Sequence, residues 1–142
     1  MDDYRNANAA SLARLNLLLS RMGPNGLAHR LPNGWSVADV LVHLAFWDSY
    51  SLSLLQAWQN GHAPKKSANI DATNAAITAL SHAIPPDAIL ALVLNTAEKV
   101  DRAVEAVSPA LASTIAASEH SFLLFRCTHR NAHLQTLESE LA

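Results

Sequence analysis

The chain has 142 residues, half of them apolar and 15% charged, with a formal net charge of −2, seven histidines and one cysteine. That size suits a single domain over residues 1–142 with a full core, and a lone Cys127 rules out an internal disulfide framework and the thiolate-rich zinc folds. Mild acidity with one basic doublet, Lys65-Lys66, argues against nucleic acid as a partner, and no apolar run approaches the roughly 20 residues that span a bilayer.

The acidic start Met1-Asp2-Asp3-Tyr4 lacks the basic and apolar regions of a signal peptide, so a cytoplasmic protein is expected. From Asp3 to Arg21 the spacing predicts a helix, with Leu12, Leu15, Leu19 and Met22 on one stripe. Gly23-Pro24-Asn25-Gly26 ends it. Pro32-Asn33-Gly34 is turn chemistry, and Ser36 with Asp39 reads as an N-cap and capping box opening a second helix. Trp35 precedes the cap, where it can pack as a hydrophobic staple. This helix should run to about Asn60. Val40, His43, Trp47, Tyr50 and Leu54 share one face, and Leu41, Leu44, Leu52 and Leu55 cover the flanks and back. A helix apolar on most sides is buried on most sides, and the surplus points to a homodimer.

An Ala-rich stretch from Asp71 to about His82 predicts a short helix, broken by Pro85-Pro86. The next helix opens at Pro86 or Asp87 and carries its stripe from Ile89 through Val100 to Val107. Ser108-Pro109 closes it. The last helix is expected to start between Ser113 and Ser121, with Phe122, Phe125, Leu134 and Leu137 as apolar members. No stretch alternates as a strand does. The fold class is therefore all-α, a four-helix bundle with a broken third helical segment.

His129 and His133 are four residues apart, so they stack on one face of the last helix. His43 lies on the core-facing stripe of the second. A bundle can bring three such imidazoles together, and three neutral nitrogens with an open position suit zinc, nickel or ferrous iron. The pair alone is common by chance. The alternative for each histidine is a satisfied core or surface side chain. His29 and His62 fall in loops and His82 before the Pro-Pro break, which suits solvated or local turn residues. His120, near the expected start of the last helix, is too far from His133 to be a fourth ligand.

Residues around the proposed ligands have two readings each. Trp47, Tyr50, Phe122 and Phe125 line a pocket or serve as core aromatics. Arg126 holds a substrate carboxylate or makes a surface or interhelical salt bridge. Asp39 caps its helix or hydrogen-bonds His43 from behind. Cys127 points around the helix from His129 and reads as a buried structural thiol. A thiol nucleophile, if used, then comes from a small molecule.

The stretch Gly34-Trp35-Ser36-Val37-Ala38-Asp39-Val40-Leu41-Val42-His43-Leu44-Ala45-Phe46-Trp47-Asp48 resembles the second-helix signature of the DinB-like superfamily, with Trp-Ser, Asp, His-Leu and Trp in order. His129-Arg130-Asn131-Ala132-His133-Leu134 is similar to its last-helix His-x-x-x-His. Residues from Ile70 to Val107, with Asn74 and Pro85-Pro86, resemble its third-helix region. The resemblance implies an up-down-down-up four-helix bundle and a divalent metal held by His43, His129 and His133. Relatives include thiol-dependent S-transferases, the N-terminal domain of mycothiol-dependent maleylpyruvate isomerase, and a branch that hydrolyses a cyclopropane genotoxin. At 142 residues that isomerase's additional C-terminal domain is not expected, which sets the isomerase reaction aside as the expected one. The expected function is thus transfer of a low-molecular-weight thiol to a small electrophile. The alternatives are hydrolysis on the same fold, or non-catalytic metal binding in stress response.

Overall fold

The computed structural model describes residues 3–65 and 68–142; Met1 and Asp2 of the acidic start and Lys66 of the basic doublet lie outside them. Six α-helices follow one another: α1 Asp3–Met22, α2 Val37–Gln59, α3 Ile70–Ser81, α4 Pro86–Glu105, α5 Pro109–Ala116 and α6 Arg126–Glu140. Among the described residues there is no strand, only an isolated bridge between Arg30 and Ser36. None of the described helices is long and apolar enough to cross a membrane.

The start of α2 is fixed by its own sequence. Ser36 Oγ accepts the Asp39 N–H at 3.1 Å, and Asp39 Oδ2 accepts the Ser36 N–H at 2.9 Å. Ser81 at the end of α3 donates to the other Asp39 oxygen, which ties α3 to this corner. Burial raises the Asp39 pKa, but the Ser81 hydroxyl and the Ser36 N–H outweigh it, leaving the carboxyl below its ordinary value. Removing the cap with Ser36→Ala is expected to lower unfolding free energy by about 1 kcal/mol in a urea titration. A change within a few tenths would mean that Ser81 and Asp39 hold the helix start without it.

Two apolar clusters set the helix directions. One gathers Leu15 and Leu19 of α1, Val40 and Leu44 of α2, Ile89 and Val93 of α4, and Leu134 and Leu137 of α6. The other gathers Tyr4 of α1, Leu55 of α2, and Val100 and Val104 of α4, with Leu123 and Leu124 just before α6. The early halves of α2 and α4 therefore lie with the late halves of α1 and α6. That is the up-down-down-up order, with α3 and α4 forming the broken third segment. Between the clusters is a buried polar layer to which each bundle helix contributes: Asn8, Asp48, Asp101, and Arg126 with Arg130.

The apolar surplus of α2 is partly taken up inside the chain. α3 packs on it and buries Ile77, while Phe46 and Leu80 stay exposed beside the contact.

The last third of the chain departs from the sequence expectation. Ser108-Pro109 ends α4 and also starts α5, because the Ser108 hydroxyl caps Leu111 N–H and Pro109 occupies the first turn. The last helix then begins at Arg126 rather than between Ser113 and Ser121. Phe122 lies in a 3₁₀ turn and Phe125 at a non-helical cap position, so neither belongs to the last helix. Phe125 provides no side-chain cap. Asn8 of α1 does so instead, accepting the Cys127 N–H at 2.8 Å and donating to the Leu124 carbonyl at 2.8 Å.

Candidate functional site

α2 and α6 carry three imidazoles to one place. His43 is buried in the middle of the early half of α2, and His129 and His133 face it from successive turns of α6. Their ring centroids are 4.8 to 4.9 Å apart, and one nitrogen from each lies within 4.8 Å of the others. His43 Nε2 and His129 Nε2 are 2.9 Å apart. At that distance either one nitrogen carries the proton of a hydrogen bond or both lone pairs serve a shared cation. His43 Nδ1 is buried with no hydrogen-bond partner.

The electrostatics keep these rings neutral. Burial and the neighbouring His133 push His43 down to about 4, with Asn74 pulling the other way. Burial, His133 and His43 push His129 down to about 3. Burial lowers His133 as well. Three neutral imidazoles offer lone pairs at physiological pH.

A cavity of about 550 Å³ opens onto the triad. Trp35 and Trp47 of the expected signature form part of its wall, together with Phe122 and Arg126. Trp35 meets His43 edge-on with centroids 5.3 Å apart, so its position before the cap also serves the site. The expected pocket residues divide at this point. Tyr50 lines a smaller neighbouring cavity of about 110 Å³ with His120, beyond Trp47. Phe125 turns away to meet Tyr4 edge-on at 5.8 Å. Arg126 Nε donates to Asp48 Oδ1 at 3.0 Å, an interhelical pair that is buried rather than on the surface. Asp39 is engaged by Ser36 and Ser81, with His82 Nε2 at 3.4 Å, and makes no hydrogen bond to His43. Cys127 is buried and lies outside this cavity.

The remaining histidines stay apart from the triad. His29 is exposed beside Glu140, and His62 and His82 are exposed. His120 is buried against Trp58 and Phe122 at the start of the 3₁₀ turn Ser121–Leu123, ahead of the last helix.

Five wall residues were not read as pocket-lining from the sequence: Asn33, Trp35, Ser51, Ile70 and Asn74. Ser51 follows His43 and Trp47 by steps of four, a signal that was present but polar in kind. Asn74 accepts the Trp47 indole N–H at 2.9 Å, a contact across α2 and α3 that no local pattern announces.

A family model described as the mycothiol maleylpyruvate isomerase N-terminal domain matches residues 9–120. The chain belongs to that family. It is thereby a DinB-like domain. No curated protein and no solved structure gives a significant match. The matched segment of this DinB-like chain holds His43 and ends before α6. His129 and His133 therefore enter the site on geometry.

A pH dependence follows for the metal-free DinB-like protein. The unfolded histidines titrate near the ordinary value of 6.5, and the folded ones near or below 4 for His43 and His129. Between those values the unfolded chain binds more protons, so stability falls as pH drops from about 6.5 toward 4. The expected slope is on the order of 1 kcal/mol per pH unit for each imidazole. Urea unfolding across that range measures it, and His129→Ala should flatten it. An unchanged slope in that variant would assign the effect elsewhere.

Proposed function

We propose that this DinB-like protein holds one divalent metal ion, zinc or nickel or iron, through His43, His129 and His133. It then joins a low-molecular-weight thiol to a small electrophile in the adjoining cavity. The observation that carries the reading is the convergence of three neutral imidazole nitrogens at the wall of one cavity. Nitrogen donors of this kind suit a borderline cation, and the His43 Nε2 that faces His129 is placed to be one of them. Bound there, a divalent cation supplies Lewis acidity that lowers the pKa of a thiol or a water.

The chain's own residues supply the rest. Trp35, Trp47 and Phe122 give the cavity an apolar lining that holds a small organic body and keeps water out. Asn74 fixes the Trp47 indole through its hydrogen bond. No cysteine lines the cavity, so the thiol comes from a small molecule.

The test is elemental analysis of purified protein, followed by incubation with cysteine or glutathione and a chromogenic aryl halide. One metal per chain and a metal-dependent thioether product are expected. Addition of water in place of the thiol would move the reading to hydrolysis. Metal bound without turnover would move it to a non-catalytic role, and no metal would remove it. A homodimer completes the proposal. Phe46 and Leu80 are exposed along an apolar groove of about 250 Å³, and sedimentation at micromolar concentration is expected to give twice the chain mass.

A further inference from the structure

Outside the three imidazoles, the polar groups of the site cavity are not balanced between donors and acceptors. Asn33 Oδ1 is occupied by the Trp35 N–H at 3.0 Å, and Asn74 Oδ1 by the Trp47 indole at 2.9 Å. An indole N–H only donates, which settles the orientation of the Asn74 amide. Asn33 therefore has its NH₂ group left for a ligand, while Asn74 also interacts with His43. Ser51 is buried and its hydroxyl makes no hydrogen bond among the described residues. Among the described residues, no Asp or Glu lines the cavity.

Among the described residues, Arg126 is the one side chain on the wall with a permanent charge. It is only 3% exposed. Its Nε is held by Asp48, and one terminal nitrogen donates to the Phe122 carbonyl at 3.3 Å. The other terminal nitrogen, Nη2, makes no hydrogen bond among the described residues, yet it is not among the buried atoms sealed away without a partner. Asp48 thus clamps the guanidinium by one edge and leaves a donor for the cavity. Arg126 lies three residues before His129, on the same side of α6, so this donor sits beside the triad.

The geometry points to Arg126 as the specificity-determining residue of the cavity. It takes the carboxylate of a small organic anion whose apolar body lies against Trp35, Trp47 and Phe122. Ser51 adds a second donor. A carboxylate offers acceptors only, which is the complement of the spare donors of Arg126, Ser51 and Asn33 beside the triad. A neutral amide of the same shape would bring its own N–H groups to donors and lose that match.

The inference rests on reading this cavity as the ligand site, and its test is kept apart from metal binding. Benzoate and benzamide are the probes, and Trp35 and Trp47 give a fluorescence signal at the site. Titrations are run on EDTA-treated protein and again with zinc added, with zinc uptake measured separately. Benzoate is expected to bind at least about tenfold more tightly than benzamide in both states. Arg126→Gln should remove that preference, and Ser51→Ala should reduce it without disturbing the Asp48 pair. If Arg126→Gln unfolds, Arg126→Lys and Ser51→Ala carry the test, and each should narrow the preference. Equal binding of the two probes, or a preference untouched by every variant, would overturn the assignment. A preference seen only with zinc would give the carboxylate to the metal instead of Arg126. Absence of zinc uptake with the preference intact would sink the metal reading and leave the Arg126 assignment standing.

Discussion

Alanine at His43, His129 or His133 is expected to reduce zinc from one ion per chain to a trace while leaving helical content unchanged. Losing one of three nitrogens removes a coordinate bond directly. Outer-shell changes already weaken metal sites by roughly 10- to 100-fold, so a lost ligand should exceed about 100-fold. The fold should tolerate the change because His129 and His133 are only half-buried and all three imidazoles line a cavity. His43 Nδ1 is buried without a partner, so that side chain is a poor contributor to stability by itself. Wild-type metal content by elemental analysis, and circular dichroism of the three variants, decide the matter. A variant that keeps stoichiometric zinc is not missing a ligand. A fold lost in all three would instead make the triad structural.

How much of this was legible depends on whether the determining contact is local. The capping box of α2 was, because Ser36 and Asp39 are three residues apart and the pattern is its own cause. The apolar stripes of α1, α2 and α4 were, since burial of one face imposes the helical period. The triad was legible only in part. The spacing of His129 and His133 is local, whereas the approach of His43 depends on two helices meeting. The start of α6 was not readable from its own residues. Phe125 has no capping side chain, and Asn8 reaches across from α1 to do that work. The polar layer was missed for the opposite reason. Asp48 and Asp101 interrupt apolar faces, so a search for apolar periodicity passes over them. Arg126 was readable as a residue of interest near His129. That it is buried and clamped by Asp48 comes from packing.

Arg130→Met is expected to destabilise the protein by roughly 3–5 kcal/mol, the cost of breaking a buried ion pair from one side. Arg130 is 1% exposed and holds Asp101 with both terminal nitrogens, at 3.0 and 3.1 Å. It also reaches Asp48 Oδ2 at 3.5 Å and the Asn8 carbonyl at 3.3 Å. One guanidinium thus joins α6 to the other three bundle helices at the level of the site. Burial already pushes the Asp101 carboxyl up, against the hydrogen bonds and charge of Arg130. Without that partner, Asp101 must take a proton or stay buried as an unpaired anion. The double variant Arg130→Met, Asp101→Leu removes both charges and should recover much of the loss, since an apolar pair of similar volume fills the space without desolvating ions. A double-mutant cycle by urea unfolding gives the coupling. Loss below about 1 kcal/mol for the single change would mean that solvent reaches the layer. The double variant also isolates a second role. Arg130 adjoins His129, so a stable double variant with weakened zinc binding would show that the ion pairs set the register of α6 against α2. Unchanged zinc binding would assign that register to Leu134 and Leu137 in the apolar cluster below.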